Sequence, residues 1–268
     1  MSEPDFTIFG AGGFVGGHLV RRLGERGAAV RAATRDDWPA PGERLGHAIY
    51  AVGLTADFRT RPFETVEAHV GLLARTLAAG GFASFLYLSS TRTYRGAAST
   101  TEDAELVMTP TNPDRLYDLS KLCGEALCLS RPDPGVRVAR LSNVFGAGDD
   151  PANFLRAVVS EAQASGAVTL RQALASAKDY VAVEDVCDAL AAIAEAGGQR
   201  LYNVASGINT RHGEIAEVLQ AVLGARVEVS DGAPVVADAP IDVGRLRAEV
   251  DWAPRSVLDY LRETLSQR

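Results

Sequence analysis

Two side chains that could carry out proton transfer lie four residues apart in the stretch YDLSK. Tyr117 and Lys121 would share one face of a helix, so a phenol and an ammonium can address the same small volume. A tyrosine ionises near pKa ~10 in water, and an adjacent cation improves it as an acid–base group by stabilising the phenolate. The pair indicates proton transfer to or from an alcohol or ketone. The alternative is an exposed amphipathic pair without chemistry, because this spacing is common on solvated helices.

A glycine-rich turn near the start of the chain has the spacing of a phosphate-binding loop. A strand-like run at residues 5–9 leads into Gly10, Gly13 and Gly16, and an amphipathic helix follows. This spacing lets the backbone turn tightly, approach a pyrophosphate and pack the helix closely on its strand. A second strand at residues 29–34 completes the order strand, helix, strand. The pattern predicts a dinucleotide site with the helix amides facing the phosphates.

The end of the second strand should select the cofactor. A carboxylate there would bind the adenosine ribose diol, but the residues are Thr34, Arg35 and Asp36. A guanidinium pairs well with phosphate oxygens, so Arg35 favours the 2′-phosphate of NADP. The alternative is NAD, with Arg35 solvated and Asp36 on the ribose.

Hydroxyl side chains follow the apolar strand predicted at residues 85–88. Residues 89–94 read SSTRTY and would lie at the carboxyl end of that strand, where ligands bind in open α/β sheets. These hydroxyls could bind a substrate oxygen, although serine and threonine are also ordinary turn residues.

The order of strands and helices predicts an α/β fold with a Rossmann-type doubly wound parallel sheet and a small C-terminal substrate lobe. Too few residues separate Arg35 from the next strand, at 47–53, to form another strand and helix, so one edge unit of the sheet should be trimmed. We assign residues 1–145 to the dinucleotide-binding domain, which also receives 181–205. Residues 146–180 and 206–268 are assigned to the substrate lobe.

Helices are expected both before Tyr117 and Lys121 and at the segment that carries them. Residues 63–79 should form one helix with an apolar stripe, and residues 117–129 another, with Asp114 as N-cap. The stripe consists of Val66, Val70, Leu73 and Leu77. Further helices are predicted at 153–164, 184–196, 211–223 and 256–265, and further strands at 136–140, 167–170, 178–183 and 201–205.

Composition narrows the classes of function. The chain has 268 residues, 47% of them apolar, and a formal net charge of -7, which argues against nucleic-acid and anionic-membrane surfaces. The lack of a leader and of an apolar run of about 18 residues predicts a cytoplasmic protein that does not enter the membrane. The three cysteines, Cys123, Cys128 and Cys187, are interpreted as reduced core residues, and no metal site is expected.

Several further motifs occur in a fixed order along nearly the whole chain. They are GAGGFVG, LSST with Tyr94 just beyond, YDLSK, RLSNVFG, KDYVAVEDV, LYNVASG and LRAEVDWAPR. Together they resemble the extended short-chain dehydrogenase/reductase family, of the NAD(P)-dependent epimerase/dehydratase, nucleotide-sugar type. Residues 30–36 also resemble the NADPH-binding strand end of dihydroflavonol-type reductases.

The resemblance implies a role for each candidate catalytic residue. Tyr117 is the acid–base group, while Lys121 binds the nicotinamide ribose and lowers the pKa of the tyrosine. Ser90 is assigned as the residue that hydrogen-bonds the reacting oxygen. It is preferred over Thr91, the alternative, because it stands four residues before Tyr94. The predicted cofactor-binding residues are Gly10, Gly12, Gly13, Phe14, Val15, Gly16, Thr34, Arg35, Val52, Gly53 and Lys121.

The resemblance also implies a substrate site. Asn143, Asn153, Phe154 and Lys178 match positions that contact the substrate or its diphosphate in nucleotide-sugar members. Lys178 replaces the usual arginine, which keeps the charge but loses the bidentate fork. Residues 231–240 are acidic where many members have Arg-Pro-Gly-Asp, so a second diphosphate contact is not expected. His69 replaces an asparagine common in the family and is interpreted as a packing residue.

The expected reaction is reduction. Family 4,6-dehydratases carry an Asp-Glu pair after the catalytic threonine, but Arg92 and Thr93 follow here, which disfavours dehydration. The sequence therefore predicts an NADPH-dependent ketoreductase that acts on a keto-sugar linked to a nucleoside diphosphate. The alternatives are a 4-epimerase that retains NAD and a non-catalytic NAD(P)-binding protein. Because the family often dimerises through the catalytic helix and its neighbour, a homodimer through residues 63–79 and 117–129 is expected.

Overall fold

The computed structural model describes residues 3–267. In chain order its elements are β1 (Phe6–Phe9), α1 (Phe14–Glu25), β2 (Val30–Ala33), β3 (Gly46–Tyr50), α2 (Pro62–Val66), a π-helical turn (Glu67–Gly71), α3 (Leu72–Ala79), β4 (Phe82–Ser90), a 3₁₀ turn (Thr91–Tyr94), a second 3₁₀ turn (Pro113–Arg115), α4 (Leu116–Leu129), β5 (Val136–Leu141), β6 (Asn143–Phe145), α5 (Phe154–Ser165), β7 (Ala167–Leu170), β8 (Ala177–Ala182), α6 (Val183–Ala196), β9 (Leu201–Val204), β10 (Asn209–Arg211), α7 (His212–Leu223), β11 (Arg226–Val229), α8 (Gly244–Arg247) and α9 (Val257–Ser266).

The main sheet confirms the predicted α/β fold. It contains six parallel strands in the order β2-β1-β3-β4-β5-β9. Residues of α1 and α6 belong to the apolar core on one face, while those of α3 and α4 belong to the core on the other. Both faces are covered, so the central strands are buried along their length, as in β4 from Phe85 to Ser90. All six strands end at one edge, which brings the loops after them together.

The predicted trimming of one edge unit is also confirmed. The main sheet ends at β2, and residues 34–45 form neither a helix nor a strand before the chain enters β3. Trp38 of this connection packs against Phe9, with ring centroids 4.9 Å apart. The short loop therefore covers the end of the sheet that a further strand and helix would otherwise cover.

The C-terminal lobe is built on two smaller sheets. Strand β8 pairs antiparallel with β10 and parallel with β6, and β7 pairs parallel with β11. Helices α5, α7 and α9 contribute to a separate apolar core that also contains Phe145 and Tyr180. The boundaries assigned from the sequence, 1–145 with 181–205 against 146–180 with 206–268, stay a proposal.

The helix predicted at residues 63–79 contains a π-helical turn at Glu67–Gly71. A π turn contains one more residue than an α turn. The side chains before it therefore point in a different direction, relative to those after it, than in a regular α-helix. Val66 was predicted in the buried stripe but is 41% exposed, whereas Ala68 and His69 are buried. Leu73 and Leu77, in α3, face the core as expected.

Two further expectations from the sequence are wrong. Asp114 does not cap the helix that carries Tyr117, because a 3₁₀ turn precedes that helix and Asn112 caps the turn by accepting a hydrogen bond from the Asp114 amide. Asp114 pairs instead with Arg59, at 2.6 Å. Cys123 is exposed on α4, while Cys128 and Cys187 are buried as expected.

Short elements escaped the sequence analysis. Strands β6 and β10 have three residues each, too few for a clear alternation of apolar and polar side chains, and β11 is largely exposed. Over residues 3–267, we find no helix with the length and apolar character needed to span a membrane.

Candidate active site

The glycine turn has the geometry that a dinucleotide requires. Gly10 has a φ of 82°, and a Cβ there would lie 2.9 Å from the backbone of Ala51 and Val52. A side chain at Gly16 would overlap the carbonyl of Gly10, whereas a Cβ at Gly12 would meet nothing within 4 Å. The turn is therefore closed towards the sheet and open on its outer side.

The first turn of α1 offers its amides on the open side. Gly13 occupies the N-cap position, and no side chain caps the helix. Phe14 and Val15, half-buried, open the helix. Uncapped amides at a helix N-terminus bind phosphate oxygens well, so these residues fit the pyrophosphate of a dinucleotide.

The remaining predicted cofactor residues follow the neighbouring strands. Thr34 and Arg35 are exposed directly after β2, and Val52 and Gly53 follow β3. A Cβ on Gly53 would lie 3.0 Å from His69 Nε2 and 3.4 Å from Lys121 Nζ, so this loop passes close to the catalytic helix. The structure thus brings these residues to one edge of the sheet.

Three hydroxyl groups meet at the end of β4. The side chains of Ser90 and Thr55 lie near the phenol of Tyr117, close enough to lower its pKa. Ser90 is the last residue of β4, and α4 carries Tyr117 over it. Thr91 begins the 3₁₀ turn and is half-buried. Of the two sequence candidates, Ser90 is the one that influences the pKa of Tyr117.

Burial dominates the electrostatics of Tyr117. The residue is 4% exposed, and loss of solvent raises the pKa of its phenol above the ordinary value, although hydrogen bonds from Thr55 and Ser90 and the charge of Arg92 oppose this. We expected a lowered pKa from the neighbouring lysine. Burial outweighs the groups that lower this pKa, and the lowering by Lys121 that the resemblance implies stays a prediction.

Lys121 lies deep in the site. Its Nζ donates a hydrogen bond to the Leu88 carbonyl at 2.8 Å and lies 5.9 Å from the ring centroid of Tyr117. Burial lowers the pKa of Lys121 to about 7, and the more distant charge of Glu125 offsets this only in part. At neutral pH Lys121 is therefore only about half protonated.

His69 is buried and packs inside the protein, as interpreted from the sequence, and it is also hydrogen-bonded to helix α4. Its ring contacts Tyr117 edge to face, with centroids 5.3 Å apart. The Leu54 amide donates to Nε2 at 3.3 Å, so Nδ1 carries the proton and donates to Ser120 Oγ at 2.8 Å. Burial lowers the pKa of His69 to about 2, with the charge of Lys121 contributing, so the ring is neutral.

A buried polar network fixes the strand end that carries Ser90. Arg140 and Glu125 form a buried ion pair, with 2.6 Å between Nη2 and Oε2. Ser89 donates to Glu125 at 2.5 Å, and the Tyr94 hydroxyl accepts from Arg140 at 2.7 Å. Tyr94, which marked the catalytic serine in the sequence, thus ties the 3₁₀ turn to strand β5.

The predicted substrate residues gather in the lobe. Asn143 is exposed and donates from Nδ2 to the Asp179 carbonyl at 2.7 Å. Lys178 Nζ lies 5.7 Å from the ring centroid of Phe154, and Asn153, exposed, occupies the N-cap position of α5. Burial lowers the pKa of Lys178, the charge of Asp238 opposes this, and the charges of Arg95 and Arg92 add to the lowering.

Sequence reasoning missed several residues of the site. Thr55, Phe58 and Arg92 surround Tyr117. His212 stacks on Phe154 with ring centroids 4.1 Å apart, and neither of its buried nitrogens has a hydrogen-bond partner among residues 3–267. None belongs to a motif that spacing could reveal, although Arg92 was noted as a departure from the dehydratases.

The family assignment follows from the match of residues 47–205 to the model of the NAD dependent epimerase/dehydratase family. The chain belongs to this family. The chain is similar to a dTDP-4-dehydro-6-deoxy-D-allose reductase from Streptomyces bikiniensis, with 25% identity over 96% of this chain and 94% of the relative. A UDP-glucose 4-epimerase from Mycolicibacterium smegmatis is 30% identical over 81% of this chain and 72% of the relative.

Solved structures share the fold of this chain. RMD from Pseudomonas aeruginosa, solved with NADPH, matches with a TM-score of 0.76 and 23% identity over 98% of this chain and 99% of that chain. The epimerase/dehydratase family uses NAD or NADP, and the glycine turn described above fits either dinucleotide.

Proposed function

We propose that this protein is an NADPH-dependent ketoreductase that acts on a keto-sugar linked to a nucleoside diphosphate. The observation that carries the proposal is the placement of Tyr117 and Ser90 at the carboxyl edge of the sheet, with Lys121 Nζ 5.9 Å from the centroid of the Tyr117 ring. A protonated phenol in this position can donate to a carbonyl oxygen. The reductase relative from Streptomyces bikiniensis, which covers almost the whole chain, supports the same reaction class.

Ser90, Tyr117 and Lys121 would each have a separate role in the reduction. Bound NADPH would supply the hydride to the carbonyl carbon. Ser90 would donate a hydrogen bond to the carbonyl oxygen, and Tyr117 would transfer its proton to that oxygen as the negative charge develops. Lys121, whose Nζ has donors left beside its bond to Leu88, would hold the nicotinamide ribose.

The nucleoside diphosphate is proposed to bind in the lobe. Asn143, Asn153 and Phe154 would contact the nucleotide, and Lys178 would supply a point charge for a phosphate oxygen. The half-buried position of Lys178 against Phe154 suits a group that pairs with a ligand more than with solvent. A screen of UDP, dTDP, GDP and CDP by calorimetry would identify the nucleotide, and a failure of all four to bind would contradict this assignment.

Replacement of the tyrosine tests the catalytic role. Tyr117→Phe keeps the ring contacts with Phe58 and His69, so the protein should fold and bind NADPH as before. Turnover of the keto-sugar should fall by about 10²- to 10⁴-fold because the proton donor is lost. Undiminished turnover would instead favour the alternative of a non-catalytic dinucleotide-binding protein.

Arg35 tests the choice of cofactor. Its exposed guanidinium at the end of β2 is proposed to pair with the 2′-phosphate of NADPH. Arg35→Ser should weaken NADPH binding by about tenfold or more and leave NADH binding unchanged, since a charged hydrogen bond is worth ~1.5–3 kcal/mol. If the wild-type protein binds NADH at least as tightly as NADPH, NAD with Asp36 on the ribose is the better assignment.

A 4-epimerase is the second candidate, because a relative with that name shares 30% identity. An epimerase would keep NAD bound through purification and show no net oxidation of cofactor during turnover. The reductase should release its dinucleotide and consume NADPH in proportion to product. Dinucleotide released by denaturing the purified protein, measured at its adenine absorption band, separates the two.

A homodimer through residues 63–79 and 117–129 and a cytoplasmic location complete the proposal. Phe63 is 86% exposed and Val66 41%, which leaves apolar surface on the first of these segments. Phe63→Asp should shift the protein from dimer to monomer in sedimentation, while the exposed Val235→Asp, far along the chain, should leave the dimer intact. A wild-type monomer would contradict this assembly.

A further inference from the structure

Arg92 stands directly against the proposed proton donor. It is the second residue of the Thr91–Tyr94 turn, and its amide donates to Ser90 Oγ at 3.3 Å. The guanidinium carbon lies 4.7 Å from the ring centroid of Tyr117 and 5.2 Å from that of Phe58. The two rings hold the cation beside the reacting hydroxyl groups.

The charge of Arg92 is incompletely compensated inside the protein. Its Nε lies 3.3 Å from Asp118 Oδ1, but neither atom has a hydrogen-bond partner among residues 3–267. Asp118 is fully buried and also pairs with Arg115, at 3.1 Å. One carboxylate therefore serves two guanidinium groups, and Arg115 alone would suffice to neutralise it.

The guanidinium is also accessible to a ligand. The Arg92 side chain is 26% exposed, so it reaches the site without being solvated like a surface arginine. Burial and repulsion from Arg95 lower the pKa of Arg92, and the charge of Asp118 offsets this only in part. A cation in this condition gains more from an anionic ligand than a solvated arginine does, because part of its hydration is already lost.

Positive charge is concentrated at both ends of the proposed substrate site. Arg59 lies 4.4 Å from the Phe58 ring centroid and pairs with Asp114. At Lys178 the charges of Arg95 and Arg92 act against that of Asp238. This clustering contrasts with a formal net charge of -7 for the chain. Lys178 in the lobe is proposed to bind the diphosphate. Arg92, beside the Tyr117 ring, is then available to the sugar part of the substrate.

We infer that Arg92 binds a carboxylate carried by the sugar, so that the substrate is an acidic keto-sugar. A guanidinium forms two parallel hydrogen bonds with a carboxylate, and its contact with the Tyr117 ring places that carboxylate beside the carbonyl to be reduced. This inference rests on the proposed action on nucleoside-diphosphate sugars. It adds the charge of the sugar itself, which the catalytic residues leave open.

Binding selectivity tests the inference. The ligands are the free diphosphate, the neutral hexose and the hexuronate of the nucleotide that binds best, which for uridine are UDP, UDP-glucose and UDP-glucuronic acid. Calorimetry is done with NADP present. The wild-type protein should bind the hexuronate about tenfold or more tightly than the hexose. Arg92→Gln should abolish this preference and leave the affinities for the diphosphate and the hexose within about twofold.

Two further variants make the comparison specific. Arg92→Lys keeps the charge without the fork and should retain a reduced preference for the hexuronate. Arg95→Gln removes a nearby exposed cation that has no contact with the Tyr117 ring, and it should change all three affinities by less than about threefold. Unchanged NADP affinity and melting temperature in Arg92→Gln would show that the fold is retained, as Arg115 still pairs with Asp118.

The other outcomes are distinguishable. Equal losses for all three ligands in Arg92→Gln would assign Arg92 to the diphosphate and overturn the acidic sugar. Equal wild-type affinities for hexose and hexuronate would also overturn it, while the proposed ketoreductase would stand. If no nucleoside diphosphate or sugar derivative binds the wild-type protein, the proposed function fails, and this inference with it.

Discussion

At the scale of single residues, burial decides which groups can exchange protons. Tyr117, Lys121 and His69 all have pKa values shifted towards their neutral forms because they are withdrawn from water. Arg92 is the cation in direct contact with the Tyr117 ring. Burial therefore makes the Tyr117 phenol a weaker acid than a solvated tyrosine, and the nearby cations and hydroxyls oppose this effect.

His212 offers a residue-scale test of how unpaired polar atoms affect stability. Its ring is fully buried against Phe154, and both nitrogens lack partners among residues 3–267. His212→Phe keeps the stacked ring and removes the unpaired atoms, so it should stabilise the protein by ~1 kcal/mol and raise the melting temperature by about 2 °C or more. Thermal unfolding at pH 7 measures this.

His69→Phe is the matched control. His69 is equally buried, but its nitrogens are bonded to Ser120 and the Leu54 amide, which the substitution would leave without this partner. We expect a loss of ~1–3 kcal/mol. Equal effects of the two substitutions would show that hydrogen bonding does not distinguish the two histidines.

At the scale of elements, the catalytic edge depends on contacts between strands and helices far apart in sequence. The π-helical turn at Glu67–Gly71 directs His69 towards Tyr117. The Arg140 and Glu125 pair joins β5 to α4, and Ser89 links β4 to the same carboxylate. The position of Ser90 is therefore set by side chains on three elements.

A double-mutant cycle measures the strength of this connection. Arg140→Met leaves Glu125 buried without its partner and should destabilise the protein by ~3–5 kcal/mol. Adding Glu125→Leu should recover most of that loss, because the pair is then replaced by apolar groups. Urea unfolding of the single and double variants provides the free energies, and a double variant no better than Arg140→Met would contradict this account.

An exposed ion pair serves as the comparison for the cycle. Arg44 and Glu3 lie 2.7 Å apart with side chains 75% and 64% exposed. Arg44→Met should change the free energy of unfolding by less than ~1 kcal/mol, since exposed pairs are screened by water and salt. A loss as large as that of Arg140→Met would mean that burial does not set the strength of these pairs.

At the scale of the whole molecule, the two buried histidines predict how stability depends on pH. Burial lowers the pKa of His69 to about 2 and that of His212 to about 4, against 6.5 for an ordinary histidine. Below pH ~6.5 these histidines bind protons in the unfolded chain but stay neutral in the folded protein. The free energy of unfolding must therefore fall as the pH falls. The effect ends near pH 4 for His212 and near pH 2 for His69.

Urea unfolding between pH 6.5 and pH 5 checks this dependence. Each histidine should remove ~1.6 kcal/mol over that interval, because the slope rises from half to nearly all of ~1.4 kcal/mol per pH unit as the unfolded ring becomes protonated. His212→Phe should lose about half of the dependence that these two residues produce. A free energy of unfolding that is constant over the interval would show that the rings are protonated in the folded protein.

The sequence by itself determined the fold class and the main chemistry. Glycine spacing, the Tyr117 and Lys121 spacing and the order of motifs are local properties, and local backbone geometry follows from them directly. They led to the parallel sheet, the trimmed edge and the family, all of which are confirmed. The cofactor and substrate residues chosen in the same way stay proposals.

Only the tertiary structure decided what surrounds Tyr117. Thr55, Phe58 and Arg92 reach it from a loop and a 3₁₀ turn whose positions no short pattern specifies. The direction of its pKa shift was also out of reach of the sequence, because spacing shows that a cation is near but not how much water is excluded. Burial and contacts between distant segments are properties of the folded chain, and they set both the proton donor and the charge beside it.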